Sequence, residues 1–203
     1  SATGEGIPVG GEVLGVAATP ARVGGDQYTW KAIGYYCNAN YAYKDTYMLQ
    51  LSYRHDGSSK FGPNNKYATF PSFSLGWRLT GEEFMKPLDW LSDLKLRVGW
   101  GQVGNDQVGY YSSYGIYGIG ANYNMDGVIL PGYYQSQIGN DKLRWERTTQ
   151  TNVGLDFSFL NGRMTLTADA YYKKTTDLLL MVKLPQTSGF DSGMQNVGSV
   201  VNK

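Results

Sequence analysis

His55-Asp56-Gly57-Ser58 brings an imidazole, a carboxylate and a hydroxyl into one tetrapeptide, and His55 is the chain's single histidine. Together these groups are the ingredients of nucleophilic acyl transfer, which needs the base and its orienting carboxylate to converge on one proton. Adjacent residues at a strand end point to opposite faces, so His55 and Asp56 are poorly placed for that. The spacing favours a histidine at the end of a strand beside a turn-forming aspartate, and no catalytic residue is assigned.

Asn122-Tyr123-Asn124-Met125-Asp126-Gly127 copies the first half of a calcium-binding loop. The bidentate glutamate that should close such a loop is replaced by Tyr133, so Asx and glycine turn chemistry explains the segment better. Gly118-Ile119-Gly120 has neither a buried strand before it nor a helical pattern after it, and is no nucleotide fingerprint. No metal and no cofactor is assigned. Cys37 is the only cysteine, so an internal disulfide is impossible. The same stretch also concentrates Tyr110, Tyr111, Tyr114, Tyr117, Tyr123, Tyr133 and Tyr134. Flat rings with a polar tip could stack on sugar faces or pack against a protein partner. These seven are the candidate ligand-binding residues; the competing reading is that a long loop packs on itself.

The elements that must carry these residues are strands. Of 203 residues, 27 are Gly and 17 Tyr, a balance suited to a β protein with many loops. A net charge of +1 gives no reason to expect a nucleic-acid partner. Residues 1–29 are Gly-rich without period and read as loop, and the start, Ser1-Ala2-Thr3-Gly4, has no leader pattern, so any signal peptide is expected to lie outside this piece. From Trp30 onward a period of two returns six times. One parity holds Ile33, Tyr35, Cys37, Ala39 and Tyr41; then Tyr47, Leu49, Leu51 and Tyr53; then Thr69, Phe73, Leu75, Trp77 and Leu79. It continues with Leu94, Leu96, Val98 and Trp100; with Trp145, Thr151, Val153, Leu155, Phe157 and Phe159; and with Met164, Leu166, Ala168, Ala170 and Tyr172. A seventh run starts near Asn196.

Connections alternate in length. Short ones fall near Lys44, after Leu79 and at Leu160-Asn161-Gly162-Arg163, where Asn-Gly is a preferred two-residue hairpin turn. Thr80-Gly81-Glu82-Glu83 matches a capping box and predicts a helical turn ending by Pro87. Long connections are expected near 55–66, 103–142 and 179–195. Short and long rims in strict alternation characterise a transmembrane barrel.

Face composition separates that reading from a soluble sandwich. The apolar parity carries almost no charge within the expected membrane band, so Leu49, Leu51, Leu75, Trp77, Leu96, Val98, Val153, Leu155 and Leu166 are expected to face lipid. Arg54, Arg78, Lys95, Arg97, Asn152, Asp156 and Asp169 fall on the other parity and are expected to face a wet lumen. An Arg or Lys turned toward mid-bilayer lipid would cost ~2–4 kcal/mol. Aromatics mark both ends of the apolar parity: Tyr41, Tyr47, Trp77 and Phe159 toward the short turns, and Tyr53, Trp100, Trp145 and Tyr172 toward the long loops. Pro71 sits inside the third run, where it removes a ladder donor. The expected fold is all-β: an antiparallel transmembrane β-barrel segment of six to seven strands (residues 30–203) in a cell outer membrane, ordered only with the remaining segments of the same barrel.

Longer motifs add a family. Asp56-Gly57-Ser58-Ser59-Lys60-Phe61-Gly62-Pro63-Asn64-Asn65, Thr69-Phe70-Pro71-Ser72-Phe73-Ser74-Leu75-Gly76-Trp77-Arg78, Leu94-Lys95-Leu96-Arg97 with Gly104-Asn105-Asp106, Leu143-Arg144-Trp145-Glu146 and Gln195-Asn196-Val197-Gly198 resemble the SusC/RagA family of TonB-dependent outer-membrane transporters. The resemblance covers about residues 45–203. It implies a plugged barrel of about 22 strands, import of glycan fragments or oligopeptides, and no enzymatic activity. It also implies a SusD-like surface lipoprotein as partner, and a TonB complex reached through regions this chain lacks. Two other readings are carried: a soluble carbohydrate-binding β-sandwich that uses the same Tyr and Trp residues as a sugar platform, and a small barrel enzyme dependent on His55.

Overall fold

A computed structural model describes Gly4–Glu5, Thr19–Pro20 and residues 28–88 and 90–203. The chain forms two units, residues 1–31 and 32–203. In the first, β1 (Gly4–Glu5) pairs antiparallel with β2 (Thr19–Pro20); most of the 1–29 segment expected to be loop lies outside the described residues.

The second unit is built on long strands: β3 (Ala32–Tyr43), β4 (Tyr47–Ser58), β5 (Tyr67–Arg78) and β6 (Leu91–Asn105). Short strands β7 (Ile116–Ile119), β8 (Tyr123–Met125), β9 (Val128–Leu130) and β10 (Tyr133–Gln137) follow, then the long β11 (Glu146–Phe159) and β12 (Met164–Thr176). β13 (Leu179–Lys183), β14 (Ser192–Asn196) and β15 (Ser199–Asn202) complete it. Seven strands make one antiparallel sheet in the order β15-β12-β11-β6-β5-β4-β3. Each long strand has 12 to 15 residues, more than the roughly 9–11 that cross a bilayer at a tilt. Among the described residues no helix is long and apolar enough to cross a membrane, which says nothing of strands.

Turn chemistry fixes the short rim. Lys44 and Asp45 take left-handed backbone conformations (φ 51° and 50°) between β3 and β4. The β11–β12 turn is wider than the expected two-residue Asn-Gly: Leu160, Asn161 and Gly162 are all left-handed, and Ser92 Oγ accepts the Gly162 amide proton at 3.1 Å. The expected capping box does not form. Residues 79–81 and 83–85 make two single 3₁₀ turns, and the Thr80 hydroxyl donates to Asp93 instead (2.9 Å). With Pro87 so close, the segment is too short to propagate an α-helix.

Pro71 also leaves a mark. Pairing of β5 with β4 passes straight through it, whereas the β5–β6 ladder starts only at Ser72 opposite Gly101. Above that point β5 and β6 part, and Phe70 fills the gap over Gly104, where an added Cβ would lie 2.0 Å from its ring.

No second layer covers the sheet among the described residues. Within the long strands only Gly57, Ser58, Phe70, Leu91 and Gly154 are buried. The sandwich expected as an alternative requires two facing sheets and is not what this chain builds. The buried cluster lies instead at the long-connection end, in Phe61, Val108 and Leu143.

Candidate functional site

Strand register sorts the candidate side chains onto two faces. The pairs Leu49↔Leu75, Leu75↔Val98, Trp77↔Leu96, Val98↔Val153, Leu96↔Leu155 and Phe157↔Leu166 run as continuous rows. Leu51 pairs with Phe73 in the same set. Several of these side chains are uncovered: Leu51 and Leu75 are 47% exposed, Leu155 39% and Leu166 62%. A soluble monomer rarely leaves so broad an apolar surface open.

The opposite face holds Arg54, Arg78, Lys95, Arg97, Asn152, Asp156 and Asp169, and three of them bond together. Arg97 forms a two-pronged bond with Asp156 (Nε–Oδ2 2.7 Å, Nη2–Oδ1 3.0 Å) and reaches Asp169 with Nη2 at 3.0 Å. One guanidinium thus joins β6, β11 and β12. The residue between the two partners is Gly154, where a Cβ would lie 2.3 Å from Asp169 Oδ1 and 2.8 Å from Arg97 Nη2. Glycine is required there because the ion pair lies flat across its backbone. Arg54 pairs with Asp56 at 2.5 Å, Arg78 with Asp93 at 3.2 Å, and Gln150 donates to Asn152 at 2.8 Å. Such exposed pairs add little stability each. What they do is order a charged surface.

His55 lies on the apolar parity, stacked on Tyr67 (5.6 Å, 1°), with Nδ1 2.9 Å from Thr69 Oγ1. Asp56 turns the other way to Arg54. The catalytic ingredients do not converge.

At the short rim of the apolar face, Tyr43, Tyr47 and Trp77 stack in series (6.4 and 6.5 Å). Glu82, from the β5–β6 connection, accepts the Tyr47 hydroxyl at 2.5 Å and the Trp77 indole N–H at 3.1 Å, both on Oε1. Those two bonds hold its carboxyl below the ordinary carboxylate value.

The long connections meet in a knot. Trp145 was expected at the lipid interface; it instead tilts onto Phe61 (5.0 Å) and edges onto Phe70 (5.7 Å), and its indole N–H donates to the Lys66 carbonyl (3.1 Å). The opening that Pro71 leaves between β5 and β6 lets it turn inward. Asn196 is the hub: its Oδ1 accepts the Arg144 amide, and its Nδ2 donates to the Arg144 and Asp177 carbonyls at 2.7 and 2.9 Å. Arg144 closes the clasp on Asp177 at 2.7 Å, which raises the pKa of the guanidinium further. Glu146 accepts from Asn105 and from the Leu179 amide, and Asp106 from Ser58 and Lys60. Gly62 packs so closely on the Asp141 carbonyl that a Cβ would lie 1.9 Å away. The motif residues at 58–65, 104–106, 143–146 and 195–198 are therefore neighbours, a convergence that sequence spacing could not show.

The seven tyrosines fall in three places. Tyr110, Tyr111 and Tyr114 sit in turns at the base of the 106–145 connection, where Gln137 Nε2 donates to the Tyr111 and Tyr114 carbonyls (both 3.1 Å). Tyr117 and Tyr133 share one face of the β7–β10 ribbon while Tyr134 lies over Gly118 on the other. Tyr123 pairs with Leu130 in the β8–β9 tip. The segment is a β-hairpin arm turned at Asp126 and Gly127 (φ 52° and 85°), with Asn124 Oδ1 accepting the Gly127 amide proton. Asp126-Gly127 was the available signal for it. The half calcium motif is this turn. All seven tyrosines are exposed, from 37% at Tyr111 to 77% at Tyr133.

The family model described as TonB dependent receptor-like, beta-barrel matches residues 4–203. The chain is 41% identical over 178 residues to the TonB-dependent receptor SusC of Bacteroides thetaiotaomicron, covering 84% of this chain and 17% of that protein. It is 39% identical over 180 residues to a TonB-dependent receptor of Formosa agariphila, covering 89% and 17%. Among solved structures, the RagAB peptide importer in its closed-closed state superposes with a TM-score of 0.73 at 34% identity, over 83% of this chain and 18% of that one. The RagAB peptide transporter gives 0.75 at 31%, over 93% and 21%. The chain spans about a fifth of the length of these relatives.

Proposed function

Because this chain belongs to the TonB-dependent receptor-like β-barrel family, as a wall segment of an outer-membrane barrel, we propose that its polar face lines the solute path of a nutrient importer and its apolar face meets lipid. The observation that carries the reading is the division of chemistry across one sheet. Arg97 bonds both Asp156 and Asp169 on one side, and Leu155 and Leu166 stand uncovered on the other. Water is needed on the first side and hydrocarbon on the second.

In this reading the free edges, β3 on one side and the unpaired length of β12 on the other, continue into the remaining strands of a barrel of about 22. The short turns face the periplasm and the knot and hairpin arm face outward. The imported solutes are glycan fragments or oligopeptides. Oligopeptides gain support from the RagAB peptide importer, and the tyrosines of the arm supply the contact surface for solute or partner. A SusD-like lipoprotein covers the outer mouth, and TonB engages parts of the receptor beyond these 203 residues.

Neighbouring positions on β12 test the wall assignment. In the full-length receptor with Cys37→Ser, Thr167→Cys should react with a membrane-impermeant maleimide in intact outer membranes, and Ala168→Cys should not. The reverse pattern would sink the reading. Import is tested by growth of cells with and without the receptor on oligopeptides or glycans as sole nutrient; equal growth on all of them removes the transport role.

A further inference from the structure

The short-rim end of the apolar face carries more than a flat lipid contact. Tyr41, Tyr47, Leu49, Leu75, Trp77, Leu96 and Val98 line an open depression of ≈ 520 Å³. It is bounded by β3 on one side and β6 on the other, with β4 and β5 as its floor. At its edge stands Glu82, tied to two of the lining residues through Oε1 only. Its other oxygen, Oε2, accepts from no described residue.

We propose that this depression is a binding site for one phosphatidylethanolamine molecule, with an acyl chain along the apolar floor and the headgroup ammonium on Glu82 Oε2. The inference rests on the apolar face meeting lipid. Each part of the site matches a part of that molecule. The floor offers hydrocarbon and no charge. The Tyr47 hydroxyl and the Trp77 indole N–H turn their ring edges to the carboxylate and hold it at the rim of the apolar floor. The carboxylate is fixed in place before any lipid arrives, since two donors from adjacent strands already hold it, and these donors keep it ionised well below neutral pH. Ethanolamine can donate up to three N–H bonds to it, whereas choline offers charge without a donor and a glycerol headgroup offers no cation. An anionic headgroup would meet repulsion from Glu82.

The test uses the full-length receptor with Cys37→Ser and a bimane label on Leu51→Cys, which lies on the same face just outside the depression. The protein is placed in nanodiscs in which a minor lipid fraction has brominated acyl chains and an ethanolamine, choline or glycerol headgroup. The brominated ethanolamine lipid should quench the label at a mole fraction at least about threefold lower than the other two. Glu82→Gln should abolish that preference while leaving quenching by bulk lipid intact. Equal quenching by all three headgroups overturns the site and leaves the lipid-facing wall standing. An absence of quenching by any of them overturns the wall assignment itself.

Discussion

The wall and the knot are made from one continuous chain, yet they are held together by different physics. Along β3 and β12 almost every side chain is open, and a ladder of backbone hydrogen bonds ties each strand to its neighbour. A few dozen residues away, Phe61 and Leu143 are completely buried. The wall leaves its apolar groups uncovered, for hydrocarbon on the proposed reading. The knot buries its own. Hydrophobic side chains therefore mean opposite things in the two regions: at Leu155 they mark an outside, at Leu143 an inside.

The largest expected effect comes from emptying the knot. Phe61→Ala removes a fully buried ring and should cost about 3–5 kcal/mol locally. Hydrogen exchange on the full-length receptor in membranes should lose protection across 58–66, 140–146 and 179–196 and keep it in β4 and β12. Equal loss in both regions would mean that they are one cooperative unit. Next is a charge on the wall. Leu155→Arg should destabilise the folded barrel by roughly 2–4 kcal/mol, read from urea unfolding in lipid, whereas Asn152→Arg on the other face should change it by less than about 1 kcal/mol. Equal costs would erase the difference between the faces. The smallest is Asn196→Ala, which leaves a backbone amide and two carbonyls of the clasp without their partner. A cost of about 1–3 kcal/mol is expected, seen as faster exchange in the two connections it joins and unchanged strand protection.

The same contrast explains what could be read from sequence. The wall was legible because a period of two needs only alternation: Leu96 and Arg97 declare their faces by type, and register then carries Asp156 and Asp169 to Arg97 without further information. The knot was not, because its contacts join different connections without any repeating pattern, as Ser58 with Asp106 and Trp145 with Lys66. Trp145 misled because its parity continued β11. The parity rule applies only where both neighbouring strands are present, and Pro71 ends that condition two residues short of Thr69. The Thr80 box misled because a hydroxyl takes the nearest strong acceptor, and Asp93 competed with the backbone. The resemblance at 56–65 and 143–146 was visible as a string of letters, but its purpose, fastening loops, required coordinates.

The base of the hairpin arm has a consequence for how such receptors diversify. Gly139 packs against the Gly115 backbone, with an added Cβ only 2.5 Å from its nitrogen, and Gln137 bonds the Tyr114 carbonyl. The two ends of the 116–137 excursion thus leave the scaffold side by side, like the pins of a plug. A different insert, longer, shorter or of other composition, can be joined at the same two points without disturbing the Asn196 clasp. The arm can change in length and composition while the strands beneath keep their sequence.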